Sequence, residues 1–232
     1  MKIFVKTQLI IFLGFFSLIY ACDFDPTLVR LVDYKENVYI FRGNLPLLNI
    51  NVQFAYDELL STFEKILKCK LPQDVELYDI CLLNPVTEEK KINIEREFFE
   101  NNPHLGKFIN NPIYGCLLNP STFSEEKRIQ LVKSSFIDGL NDLIPLIYHE
   151  YMQNISPGKI RILFIHCLAG KDRTGVVSAA CLMYDKHIQF KVVKEINTEV
   201  AHREISQLCE NELQWYAYYL KYIKNIDVGP ID

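Results

Sequence analysis

The stretch His166-Cys167-Leu168-Ala169-Gly170-Lys171-Asp172-Arg173-Thr174-Gly175 sets a thiol six positions before a guanidinium, across a loop that contains a glycine. What flanks it decides how it is presented. Ile160-Arg161-Ile162-Leu163-Phe164-Ile165 is rich in β-branched and aromatic residues and short enough for a buried strand, while Val176 to Tyr184 reads as an apolar helix. The loop therefore joins the end of a strand to the start of a helix.

A loop that winds into a first helical turn presents backbone N–H groups that have no partner within the helix. With the positive end of the helix dipole, these form a cradle for a dianionic phosphoryl group. The backbone N–H groups and side chains from Leu168, Ala169, Gly170, Lys171 and Asp172 to Arg173 line that cradle, with Ala169 and Gly170 allowing close main-chain approach. Arg173 closes it with a planar fork suited to two phosphate oxygens. The same positive field favours the thiolate form of Cys167, so the nucleophile needs no adjacent base. Thr174 is placed to hydrogen-bond the sulfur, and His166 braces the loop.

On these residues the chain resembles the cysteine-dependent protein tyrosine phosphatase superfamily. Gly-Lys-Asp-Arg-Thr-Gly is similar to a branch of atypical, often secreted microbial phosphatases acting on phosphotyrosine, phosphoserine and phosphothreonine, or phosphoinositides. The close match covers about ten residues. Upstream, Phe41-Arg42-Gly43-Asn44-Leu45-Pro46 is similar to that branch's Tyr-Arg-Ser-type segment. Val75 to Leu83 is similar to a strand that usually ends Asp-Leu-Arg, but reads Asp79-Ile80-Cys81 here, without the arginine. The resemblance implies phosphomonoester hydrolysis through a cysteinyl-phosphate, with no metal and no organic cofactor. The substrate is then a phosphorylated protein, by a tyrosine-specific or dual-specificity activity, or alternatively a phosphoinositide or inositol phosphate.

At 232 residues, 49% of them hydrophobic, the chain is long enough for one globular domain with a proper core. A formal charge of −4 gives no general attraction to nucleic acid. Lys2 and Lys6, an apolar Leu9 to Ala21 and the small Ala21 describe a secretory signal over residues 1–21, with the catalytic domain over 22–232. The localisation expected from this is secreted, in the secretory pathway or periplasmic. Ile19-Tyr20-Ala21-Cys22 also resembles a bacterial lipobox, which makes Cys22 a candidate for lipid attachment to a membrane. Seven cysteines without a Cys-x-x-Cys pair do not read as a disulfide framework or a zinc site.

Outward from the loop, strands are expected in Leu28 to Phe41 and Val75 to Leu83, with Arg42-Gly43-Asn44 a turn, and a helix over Tyr56 to Cys69. Glu88 to Glu100 reads as a solvated charged segment and Asn101 to Pro112 as a mobile insertion, with a further strand at Ile113 to Leu118. The spacing from Thr122 to Glu125 is that of a capping box. Helices are expected over Ser124 to Ser135 and Gly139 to Gln153. The tail from Phe190 to Lys224 reads as helical, with Trp215, Tyr219 and Ile223 on one core-facing stripe. The pattern is an α/β domain, tyrosine-phosphatase-like, with a central sheet of four or five strands and helices on both faces.

One role has no obvious holder. Relatives place a general acid after Trp-Pro upstream of the nucleophile, whereas the single tryptophan here, Trp215, lies downstream. Asp172, inside the cradle, is the first candidate for that acid, ahead of Asp138, whose position also suits an N-cap, and Asp79 at a strand end. Two other readings of the loop stand beside the phosphatase: a phosphate-binding pseudophosphatase, against which intact Cys167 and Arg173 speak, and a sulfur transferase, against which the Arg-Thr-Gly exit speaks.

Overall fold

The computed structural model describes residues 23–134, 138–153, 155 and 158–231. The expected leader and Cys22 lie outside them. In chain order the elements are β1 (Arg30–Lys35), β2 (Val38–Gly43), a small antiparallel ladder of β3 (Leu47–Leu48) and β4 (Gln53–Phe54), then α1 (Tyr56–Leu67) and β5 (Glu76–Cys81). There follow α2 (Glu89–Asn101), β6 (Gly106–Asn110), α3 (Glu125–Lys133), α4 (Asp138–Leu146), β7 (Arg161–His166), α5 (Asp172–Lys186), α6 (Phe190–Ala201) and α7 (Gln207–Tyr222).

The main sheet has five strands in the order β1-β2-β7-β5-β6. Only β1 runs antiparallel, joined to β2 by a tight turn in which Glu36 adopts a φ of 54°. The pairs β2 with β7, β7 with β5 and β5 with β6 are parallel. All six residues of β7 are buried, as its unbroken apolar run requires of a strand covered on both faces. Phe41 and Phe164 meet Phe63 of α1 on one face, at ring centroid distances of 4.5 and 5.8 Å. Arg42, the next residue of β2, points to the other face and reaches Asn197 of α6. The protein is thus an α/β domain with a central five-stranded sheet and helices on both faces.

Several sequence expectations need correction. Asn101 to Pro112 is not an insertion but carries β6, the parallel edge strand. Gly106 permits the pairing, since at its φ of +147° a Cβ would stand 1.8 Å from the Leu77 carbonyl oxygen. Residues 113–118 form no strand and run as irregular chain, with Cys116 N–H donating to Leu208 O at the start of α7. The cap of α3 is the Ser124 side chain, which accepts from Lys127 N–H. Gly139 to Gln153 is not one α-helix: α4 passes into a π-helical turn at Ile147–Tyr151. The tail is broken between α6 and α7, where His202 turns left-handed at φ 54°. Trp215 is fully buried, as a core aromatic should be. Among the described residues no helix is long and apolar enough to cross a membrane.

Candidate active site

β7 ends at His166, and Cys167 is the first residue of the loop that delivers the chain to α5. Because the neighbours of β7 run parallel to it, all three strands finish on one edge, with Gly43 of β2 and Cys81 of β5 in register with His166. The thiol is 3% exposed and sits at the middle of that edge.

The end of β2 is the seat of the loop, not the separate turn expected at Arg42-Gly43-Asn44. Gly170 has a φ of +67°, and a Cβ there would lie 2.5 Å from Gly43 O and 2.7 Å from Asn44 N. Leu45 N–H donates to Leu168 O at 3.3 Å, and buried Arg42 donates from Nη2 to Gly170 O at 3.0 Å. In a trans peptide the N–H points opposite to the C=O, so fixing these two carbonyls outward turns the N–H groups of Ala169 and Lys171 into the loop. Burial lowers the pKa of Arg42 to about 10, against the opposing pull of Cys167, so it remains a cation at neutral pH. Its Nη1 also donates to Asn197 Oδ1 at 2.8 Å, and Asn197 Nδ2 donates to Gly175 O at 3.0 Å. One guanidinium therefore fastens the loop at Gly170 and, through Asn197, the first turn of α5.

Arg173 is held by a residue that sequence reasoning passed over. Its Nη1 and Nη2 donate to Glu88 Oε2 and Oε1 at 2.7 and 3.1 Å, and Nη1 also donates to Leu82 O at 3.3 Å. Those three bonds use both Nη1 protons and one on Nη2. The edge formed by Nε–H and the second Nη2–H is left without a protein acceptor among the described residues, and it offers a ready bidentate fork. Burial alone would raise the Glu88 pKa, but hydrogen bonds from Arg173 and the Asn84 N–H outweigh it and leave Glu88 below its ordinary value. At Arg173 burial lowers the pKa, but Glu88 and the charge of Cys167 together outweigh it and raise the pKa.

Asp172, the first candidate for the acid, is held by two partners outside the loop. Its two oxygens accept from Arg203 Nη1 and Nη2 at 2.9 and 2.6 Å, and Oδ1 also accepts from Ser206 N–H at 2.7 Å. Burial pushes its pKa up, yet Arg203 and Ser206 more than reverse this and lower it. So held, Asp172 is a stable carboxylate that ties the start of α5 to the break between α6 and α7, and a poor proton donor. Asp79 is fully buried on the sheet face beneath the loop, away from the mouth. Asp138 opens α4, and its side chain lies outside the described residues. Thr174 is buried with its hydroxyl unpaired, so the expected bond to the Cys167 sulfur is not formed. Lys171 precedes α5 and is partly exposed.

His166 stacks on Phe164, with ring centroids 5.6 Å apart, and is wholly enclosed. Its Nε2 lies 3.0 Å from Asp79 Oδ1 and 3.1 Å from Glu95 Oε2 of α2. Burial disfavours a charged imidazole, but Glu95 and Asp79 prevail and raise its pKa well above the usual value. Burial pushes Glu95 up to about 7 and the neighbouring Cys81 thiol up to about 12. The segment read as a solvated face thus supplies two inward carboxylates, Glu88 and Glu95. The available signal was periodic: Ile92, Glu95 and Phe99 fall on one helical face and are all buried.

Residues 123–188 match a family model described as the tyrosine phosphatase family. That stretch contains β7, the whole loop and α5. Among solved structures, the chain is similar to Tk-PTP in a mutant form, at 14% identity and a TM-score of 0.45, covering 85% of this chain and 97% of that one. It is also similar to kinase associated phosphatase with its catalytic cysteine substituted by serine, at 10% identity and 0.44, covering 80% and 88%. A third similarity is to the core catalytic domain of a PP-IP phosphatase from S. cerevisiae in complex with citrate, at 19% identity and 0.40, covering 81% and 85%. No curated protein matches the chain.

Proposed function

We propose that this protein hydrolyses phosphomonoesters through a cysteinyl-phosphate, acting on phosphotyrosine or as a dual-specificity protein phosphatase. The observation that carries this is the pairing of Cys167, at the end of the central strand, with an Arg173 whose Nε edge is turned free by Glu88. In the first step the Cys167 thiolate attacks phosphorus, the bond to the leaving oxygen breaks, and that oxygen takes a proton. In the second, water attacks phosphorus, the P–S bond breaks, and orthophosphate leaves with the thiolate restored. The N–H groups turned inward and the Arg173 fork hold the equatorial oxygens through both steps, where their charge redistributes.

The geometry around Asp172 favours aryl phosphates within this class. With that carboxylate committed to Arg203 and Ser206, the site assists a phenol, whose pKa is about 10, better than a serine alcohol, which is the poorer leaving group. Secretion after removal of residues 1–21 belongs to the same proposal.

A panel of phosphotyrosyl peptide, phosphoseryl peptide and phosphoinositide, each with a Cys167→Ser control, tests it. Turnover fastest on the phosphotyrosyl peptide, abolished by Cys167→Ser with phosphate binding retained, is the expected result. Equal turnover by that variant would overturn the mechanism, and a preference for phosphoinositide would overturn the substrate class.

A further inference from the structure

Directly beneath the catalytic loop, four ionisable side chains converge from three elements. They are Asp79 and Cys81 of β5, Glu95 of α2 and His166 of β7, and all four are 0% exposed. Both oxygens of Asp79, both oxygens of Glu95 and both ring nitrogens of His166 lack a hydrogen-bond partner among the described residues. The contacts of Nε2 with the two carboxylates, at 3.0 and 3.1 Å, are close but not aligned as hydrogen bonds. Ligand atoms of Cys81, Glu95 and His166 all lie within 4.8 Å of one another. Burying six polar atoms without aligned hydrogen bonds is costly.

We propose that Cys81, Glu95 and His166 form a buried structural site for a divalent metal ion of the zinc class, with Asp79 beside the His166 ring. Tetrahedral coordination at about 2.0 to 2.1 Å for nitrogen and oxygen places neighbouring N and O ligands roughly 3.3 Å apart, close to the spacing seen around His166 Nε2. Such ligands approach each other at hydrogen-bond distance while all point at a shared centre, which explains contact without alignment. A thiolate and one carboxylate cancel the charge of a divalent ion, and a mixed sulfur, nitrogen and oxygen set suits zinc better than the oxygen-loving magnesium or calcium. All three ligands are fully buried and shut off from the substrate side, so the role of the site is structural. It would pin β5, α2 and β7 together one residue before Cys167. No sequence motif announces it, because the ligands are drawn from positions 81 to 166.

The test measures metal, not turnover, and so stands apart from the phosphatase reading. Untagged protein carrying Cys167→Ser, which removes the reactive thiol as a rival ligand, is stripped with a chelator and titrated with Zn²⁺ and, separately, Co²⁺. One equivalent of Zn²⁺ should bind and raise Tm, and Co²⁺ should give a thiolate-to-metal charge-transfer band with tetrahedral d–d absorption. Cys81→Ala should abolish that band while Cys209→Ala leaves it, and Glu95→Gln should weaken Zn²⁺ binding by on the order of 10-fold or more. Substoichiometric Zn²⁺ with no charge-transfer band in folded protein overturns the proposal, as does a band that survives Cys81→Ala. The titration of the intact three-residue set decides the matter even where a ligand variant fails to fold.

Discussion

Glu88→Gln asks whether a carboxylate that never touches the substrate sets the rate by holding the one side chain that does. The substitution preserves shape and a carbonyl acceptor but removes the charge and one acceptor from a bidentate pair at 2.7 and 3.1 Å. Side-chain exposure is 22% for Arg173 and 15% for Glu88, so solvent screens the pair only in part. Hydrogen bonds to charged groups are worth about 1.5 to 3 kcal/mol, and losing one here should cost a similar amount of transition-state stabilisation, or about 10- to 100-fold in kcat. Arg173→Lys should cost 10²-fold or more, and adding Glu88→Gln to it should cost little further, because both act through the same fork. Steady-state kinetics on an aryl phosphate for the two single variants and the double variant close the cycle. The Glu88 pKa is lowered on folding, so its contribution to stability is complete above its ordinary value of 4.5 and is lost as pH falls through the folded value. A kcat within twofold of the parent, or fully additive losses in the double variant, would refute the reasoning.

Asp172→Asn should slow phosphoseryl and aryl phosphate substrates by the same modest factor, and Arg203→Ala should reproduce it; a loss confined to the poorer leaving group would restore Asp172 as the acid. Gly170→Ala should destabilise the fold by about 2 kcal/mol or more in denaturant titration and collapse kcat, because the added Cβ meets backbone at 2.5 Å and φ is +67°; parent-like values would mean the loop is not seated on Gly43. Glu212 of α7, buried with its pKa raised from 4.5 to about 7, ionises in the unfolded chain first, so its cost to stability grows as pH rises between those values. Glu212→Gln should therefore match the parent near pH 4.5 and exceed it by up to about 3 kcal/mol above pH 7, and a constant difference across that window would refute the assignment.

The strand, the loop and its helix were legible because they are local: a β-branched run, a glycine and an apolar helix follow one another within some 25 residues. What holds the loop was not legible, because each partner is remote. Arg42 lies 128 residues from the Gly170 carbonyl it anchors, and Glu88 lies 85 residues from Arg173. The segment containing Glu88 and Glu95 carries so many charges that its two inward carboxylates are hidden among solvated ones. β6 escaped notice for a related reason. As an edge strand it is only partly buried, and its sequence Gly-Lys-Phe-Ile-Asn lacks the continuous apolar run of β7. The break between α6 and α7 has a physical sign in hindsight, since Arg203 leaves the helical path there to reach Asp172.

β7 separates two kinds of support for one thiol. On the face toward α5 and α6, Arg42 and Asn197 fasten the loop by hydrogen bonds to its carbonyls, so the backbone N–H groups are aimed before any substrate arrives. On the face toward α1 and α2, His166 is fixed by Phe164 and by carboxylates from β5 and α2. Neither set faces the mouth of the site. The nucleophile is thereby held from below and behind, with the Arg173 edge and the loop N–H groups left for the phosphoryl oxygens. A site built this way spends its fixed charges on orienting one dianion. Under the proposed mechanism, selection among phosphomonoesters follows the stability of the leaving oxygen, and the preference for an aryl ester belongs to that proposal.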